Sequence, residues 1–153
     1  MVVVMVVIGV IWWRLPIGTQ KACAFSSEIV EKAHDIPLYC IDERKLPSGI
    51  VSHTASAHFG SGAVIYNVVD GNETLSVSLQ KKPDEKQLAN FVPNIIPLHF
   101  QVDTPIGKAS IGVHEKQTIV SLPTTSSTWI IITGPASYDP DKMTRLLALF
   151  TLH

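Results

Sequence analysis

Six histidines and two cysteines are the residues of this chain whose types could bind a metal or act as nucleophiles. His53 and His58 are five residues apart, so their side chains would point to opposite faces of one strand. His99 and His114 are predicted on different strands and on their polar faces, where a solvated histidine is the alternative to a weak surface metal site. The sequence therefore predicts no metal site and no cofactor.

The sequence also lacks the residue arrangements that nucleophilic or acid–base catalysis requires. Ser48 and Ser61 lack the strand, turn and helix setting of a nucleophile elbow, and Gly60-Ser61-Gly62 lacks the rest of a phosphate-binding loop. Asp103 and Glu115 could meet from neighbouring strands, but charged residues at strand ends are usually solvated. We therefore predict that the protein is not an enzyme.

Cys23 and Cys40 could form a disulfide. On the predicted topology both lie outside a membrane, where disulfides form, and closing a loop of this size stabilises a fold by about 3 kcal/mol. The alternative is two small buried hydrophobic residues, because Cys40 lies in the apolar stretch 36–41. The sequence leaves both interpretations open.

The chain begins with thirteen uncharged, apolar residues, and Arg14 follows them. As a helix this run is about 20 Å long against about 30 Å of bilayer hydrocarbon, so its flanks must help it to span. A buried strand and a cleaved signal peptide are the alternatives. We predict a transmembrane anchor over residues 1–18 that contacts membrane lipid, with its apolar positions at Val2, Val3, Val4, Val6, Val7, Ile8, Val10, Ile11, Trp12 and Trp13.

Behind the anchor, the pattern predicts a linker with a short helix over residues 19–35 and a sheet-rich domain over residues 36–153. The short helix is capped by Ser26 or Ser27, and the C-terminal helix is capped by Asp139 with Pro140 in its first turn. A further short helix is expected over residues 83–91. Alternating apolar residues predict seven strands, over residues 50–59, 63–69, 73–80, 98–102, 108–114, 118–122 and 128–133.

Several turns occur in an order that resembles a known group of proteins. Leu46-Pro47-Ser48-Gly49, the Ile65 to Leu79 hairpin, the Thr104 to Ala109 segment and the Thr128 to Thr133 strand resemble small single-pass bacterial membrane proteins with an extracytoplasmic domain of unknown function. The resemblance covers residues 36–152. It implies an α+β fold, similar to PsbP or lipoprotein-carrier scaffolds, with an N-terminal membrane helix, a curved antiparallel sheet of about six or seven strands and a C-terminal helix packed on it. It supplies no catalytic residues.

The charge of the chain argues against nucleic acid as a partner. The chain has 12 basic and 13 acidic residues and no basic stripe interleaved with aromatic residues, so we predict no nucleic-acid binding. The expected location is the cell membrane, single-pass, with the C-terminal domain outside the cytoplasm.

A binding or sensing module at the cell envelope is the function that these features favour, with an apolar ligand or an envelope protein as its partner. The alternatives are a lipid or apolar-ligand carrier and a purely structural envelope protein. A sealed apolar cavity of at least about 300 Å³ would favour a carrier. A filled core with an exposed apolar edge would favour a protein partner.

Overall fold

A computed structural model describes residues 22–153, and within this range the fold is mainly β, with ten strands and three short helices. The helices are α1 (Ser27–Lys32), α2 (Glu85–Ile95) and α3 (Pro140–Leu147). The strands are β1 (Tyr39–Ile41), β2 (Ile50–Ser52), β3 (His58–Gly60), β4 (Ala63–Asp70), β5 (Glu73–Lys81), β6 (His99–Thr104), β7 (Gly107–His114), β8 (Gln117–Pro123), β9 (Thr128–Pro135) and β10 (Phe150–Leu152).

Eight strands form one antiparallel sheet in the order β2-β4-β5-β9-β8-β7-β6, with β3 also paired to β4. Helix α2 carries the chain from β5 in the middle of the sheet to β6 at its far edge. Strands β6 to β9 then return one by one until β9 pairs with β5. Strands β1 and β10 form a separate antiparallel pair.

Tight turns fix the register of this sheet. Gly71 has a φ of 59° in the hairpin that joins β4 to β5, where Asp70 pairs with Glu73. Glu115 and Lys116 have φ values of 47° and 66° in the two-residue turn between β7 and β8. Positive φ at both central residues is the type I′ geometry, which matches the natural twist of two-residue hairpins.

The core lies between the inner face of the sheet and a second layer made of α1, the β1–β10 pair and α3. Leu75, Val77 and Leu79 alternate along β5 and are fully buried, as the period-two pattern predicts. Helix α3 contributes Met143, Leu146 and Leu147 to the same cluster of buried side chains. Buried side chains therefore fill the space between the two layers.

The predicted fold class is wrong. The α+β class led by a membrane helix is replaced by a mainly β domain whose three helices are short, although a sheet-rich fold with a C-terminal helix is compatible with the structure. The pattern of apolar residues did not predict β1 and β10, which have three residues each. Such short, fully or partly buried strands carry no alternation that would reveal them.

The predicted single-pass location in the cell membrane is corrected as well. Across residues 22–153, no helix has both the length and the apolar character needed to cross a membrane. The predicted anchor positions from Val2 to Trp13 lie outside the described residues.

The predicted strand over residues 50–59 is interrupted. A 3-10 turn at Thr54–Ser56 separates β2 from β3. Thr54 is fully buried: its hydroxyl oxygen accepts a hydrogen bond from the Ala24 N–H at 3.1 Å and donates one to Glu43 Oε1 at 3.3 Å. These partners are distant in sequence, and they hold the backbone away from the strand.

Candidate functional site

The structure joins Cys23 and Cys40 in a disulfide, with their Cα atoms 5.7 Å apart. Cys40 lies in β1, and Cys23 lies just before α1. Both residues are fully buried. The bridge therefore fastens the segment that leads into α1 to the second layer of the fold.

The histidines that were weighed as metal ligands do not come together. His53 precedes the 3-10 turn and His58 begins β3, while His99 pairs with Gly112 rather than with His114. In the part of the chain that the structure describes, no three His, Cys, Asp or Glu residues are grouped to hold a metal ion.

The two carboxylates that were weighed as a pair are also apart. Asp103 forms an ion pair with Lys108 at 3.3 Å, and Glu115 lies 3.7 Å from His114. Ser48 and Ser61 are exposed and belong to turns. None of these residues forms a nucleophile–base pair of the kind that hydrolysis requires.

The two edges of the main sheet differ in a way that bears on binding. At one edge, β2 and β3 have only three residues each and are separated by the 3-10 turn. Short, interrupted strands are a common means of blocking unwanted strand pairing. At the other edge, β6 is continuous over six residues, and within residues 22–153 it pairs with β7 alone.

Alternate residues of β6 turn their backbone groups away from the sheet. In a two-residue hairpin the residues that flank the turn form a hydrogen-bonded pair, and His114 is that residue on β7. Hydrogen-bonded positions alternate along an antiparallel strand, so β7 bonds to β8 through His114, Gly112 and Ser110. It therefore bonds to β6 through Ile111 and Ala109, whose partners are Phe100 and Val102.

The N–H and C=O groups of His99, Gln101 and Asp103 consequently point outward along the open edge of β6. Among the described residues, no backbone hydrogen bond from outside the sheet reaches these three positions. A row of such groups is a template for another strand.

An apolar patch borders this edge on the inner face of the sheet. Leu98, Phe100 and Val113 are 84%, 44% and 52% exposed, and we call these three residues the β6 patch. The second layer covers the middle strands and stops short of this corner. Neighbouring Ile111 is buried, so the patch continues the core of the molecule to the surface.

Helix α2 and the segment after it set the position of β6. Ile96 is fully buried and packs on Gly112 of β7, where no side chain occupies the space. The His99 ring nitrogen Nδ1 is 2.9 Å from the Ile96 carbonyl oxygen, which ties the start of β6 to the same point. Phe91 of α2 also contacts Trp129 edge to face, with ring centroids 4.7 Å apart.

The exposure of the β6 patch was not predictable from the sequence pattern. The alternation of apolar and polar residues predicts a strand over residues 98–102, but it does not show whether the apolar face of that strand is covered. The composition of β6 does indicate an edge open to pairing, because Asp103 is its one formally charged residue. Edge strands protected against pairing usually carry lysines, prolines or bulges.

No protein-family model matches the chain, and no curated protein matches its sequence. The resemblance to single-pass bacterial proteins with extracytoplasmic domains therefore stays a prediction.

Proposed function

We propose that this domain is a protein-binding module that adds a strand to β6, and that the added strand is β6 of a second copy. The observation that carries the proposal is the open edge itself: six continuous residues with outward backbone groups, beside an exposed apolar patch. A filled core together with an exposed apolar edge favours a protein partner over an enclosed ligand.

The sequence of β6 is complementary to itself in one antiparallel register. When two copies are related by a two-fold axis at Gln101, His99 of each copy lies opposite Asp103 of the other. The outward groups of these three residues then form about six backbone hydrogen bonds. Gln101 faces its own copy, and amide side chains can donate and accept in such a pair.

Apolar side chains meet on the inner side of the same register. Phe100 of each copy lies opposite Val102 of the other, and aromatic with β-branched pairs are favourable across strands. Phe100 and Leu98, which lie at the paired edge, would lose exposed apolar surface on pairing. Self-pairing of this kind makes an isologous interface, which closes at two copies and leaves no growing end.

The contact area of one strand and a small patch is modest, so we expect a dimer with a dissociation constant on the order of 10 µM. Sedimentation velocity from about 1 to about 300 µM spans that value. Gln101→Pro removes one outward N–H without removing a β6–β7 hydrogen bond, a position where edge strands accept proline. Gln101→Ala keeps the N–H and is the matched control.

The proposal expects dimers for the wild type and for Gln101→Ala, and monomers for Gln101→Pro at the same concentrations. Circular dichroism melts establish that the three proteins are folded. A wild type that stays monomeric throughout the range would contradict self-pairing and assign the edge to a strand of another protein. Dimers that persist in a folded Gln101→Pro would place the contact on a different surface.

A further inference from the structure

A second surface feature lies at the opposite edge of the sheet, where the turn before β2 approaches α3. It is a cleft of about 340 Å³. Its floor is apolar and includes Ile50, Leu146 and Leu149, and its rim carries Asp70, Lys142 and Arg145. Strands β2 and β6 are at the two ends of the sheet order, so this cleft is separate from the β6 edge.

The negative charge of Asp70 is already engaged inside the cleft. The Tyr138 hydroxyl donates a hydrogen bond to Asp70 Oδ2 at 3.0 Å, and Lys142 Nζ is 3.7 Å from the same oxygen. A phenol is protonated at neutral pH and donates to the carboxylate, and burial together with the hydrogen bond to Asp70 raises the pKa of Tyr138 further. Asp70 therefore has two partners, the Tyr138 hydroxyl and the Lys142 ammonium group.

Arg145 is differently placed. It lies three residues after Lys142 on α3, on the same side of the helix, and its side chain is exposed. No carboxylate among residues 22–153 is within ion-pair distance of its guanidinium. Among the residues that line the cleft, Lys142, Arg145 and Asp70 carry formal charges, and these leave one net positive charge.

We propose that this cleft binds a small amphipathic organic acid. The carboxylate lies against Arg145, whose planar fork of N–H groups suits a carboxylate in two-point contact, and Lys142 is next to it. The apolar part of the ligand covers Ile50, Leu146 and Leu149. A volume of 340 Å³ is near the lower limit for ligand sites, so the acid is short.

Hexanoate is a suitable probe, and its binding is followed by shifts of backbone amide signals in nitrogen-15 labelled full-length protein. A ligand of this size is expected to bind with a dissociation constant on the order of 1 mM. Saturable shifts should centre on Ser48, Arg145 and Leu149, which line the cleft. Hexanol and hexylammonium, which have the same chain without the carboxylate, should bind at least about tenfold more weakly.

Arg145→Gln should weaken hexanoate binding about tenfold, because it removes the charged donor and keeps a polar side chain of similar length. Lys86→Gln is the matched control, since it removes one exposed positive charge on α2 and should leave binding unchanged. Equal affinity in Arg145→Gln and wild type would overturn the proposal. So would equal binding of hexanol or hexylammonium, or shifts that never saturate.

Discussion

Asp42 shows how a single buried carboxylate is stabilised within its own turn. Its carboxylate accepts hydrogen bonds from Arg44 Nε at 2.8 Å and Nη2 at 2.9 Å, and from the Arg44 backbone N–H at 3.1 Å. The side-chain hydrogen bond from Arg44 is the main cause that lowers the pKa of Asp42 from 3.8 to about 2. The Asp42 backbone N–H donates to the Leu149 carbonyl oxygen at 3.1 Å, which ties this turn to the segment between α3 and β10.

The lowered pKa of Asp42 predicts a specific loss of stability in acid. A carboxyl group with a lower pKa in the folded state stabilises the fold above its unfolded pKa, and this contribution disappears as the pH falls from about 4 to about 2. Urea unfolding of wild type and Asp42→Asn across this range measures it. The wild type should be more stable near pH 6, the difference should be small near pH 2, and it should disappear below that pH. A difference independent of pH would contradict this assignment.

Gly112 is a second residue whose identity the structure requires. A Cβ atom at this position would overlap the Ile96 side chain and the Leu98 carbonyl oxygen, and the carbonyl belongs to the backbone. Gly112→Ala should therefore destabilise the fold by about 1 to 3 kcal/mol. Thermal unfolding measures the effect. Gly60→Ala is the control, because a Cβ there meets open space, and equal melting temperatures for the two variants would contradict the packing of Ile96 on β7.

At the scale of elements, the disulfide between Cys23 and Cys40 attaches the segment before α1 to β1. The double variant Cys23→Ala and Cys40→Ala should lose about 3 kcal/mol of unfolding free energy, mainly because the unfolded chain gains freedom. Urea unfolding of the oxidised protein, the reduced protein and the double variant measures the loss. Equal stability of the oxidised protein and the variant would show that the loop is held by packing alone.

Patterns of neighbouring residues predicted those elements that neighbouring residues alone determine. The alternation of Leu75, Val77 and Leu79 located β5, and Asp139 with Pro140 located the start of α3, where Asp139 accepts hydrogen bonds from the backbone N–H groups of Asp141 and Lys142. The interruption at Thr54 was not predictable in this way. Its hydrogen bond to Ala24 spans 30 residues, and only the folded chain brings the two together.

The pair of β1 and β10 was missed for a related reason. Each strand has three residues, and Ile41 of one pairs with Phe150 of the other across most of the chain. Short apolar runs of this kind are compatible with a strand, a loop or a buried helix end. The disulfide cysteines were identified as candidates from their types, whereas their pairing depended on the placement of β1 beside the segment before α1.

At the scale of the whole molecule, the assembled fold determines which surface is open to a partner. The sequence predicted a strand over residues 98–102 but could not show that the second layer ends before β6. That outcome depends on the lengths and positions of α1, β1, β10 and α3 together. The blunted edge at β2 and β3 and the continuous edge at β6 are likewise properties of the assembled sheet.

The most direct test of strand addition at β6 is residue-resolved amide hydrogen exchange at low and high protein concentration. Gln101 and Asp103 have outward N–H groups, whereas the Val102 N–H bonds to Ala109 of β7. Self-pairing predicts slow exchange at Val102 at both concentrations, and protection of Gln101 and Asp103 that rises with concentration. Rapid exchange of Gln101 and Asp103 at every concentration would contradict pairing of two copies through this edge.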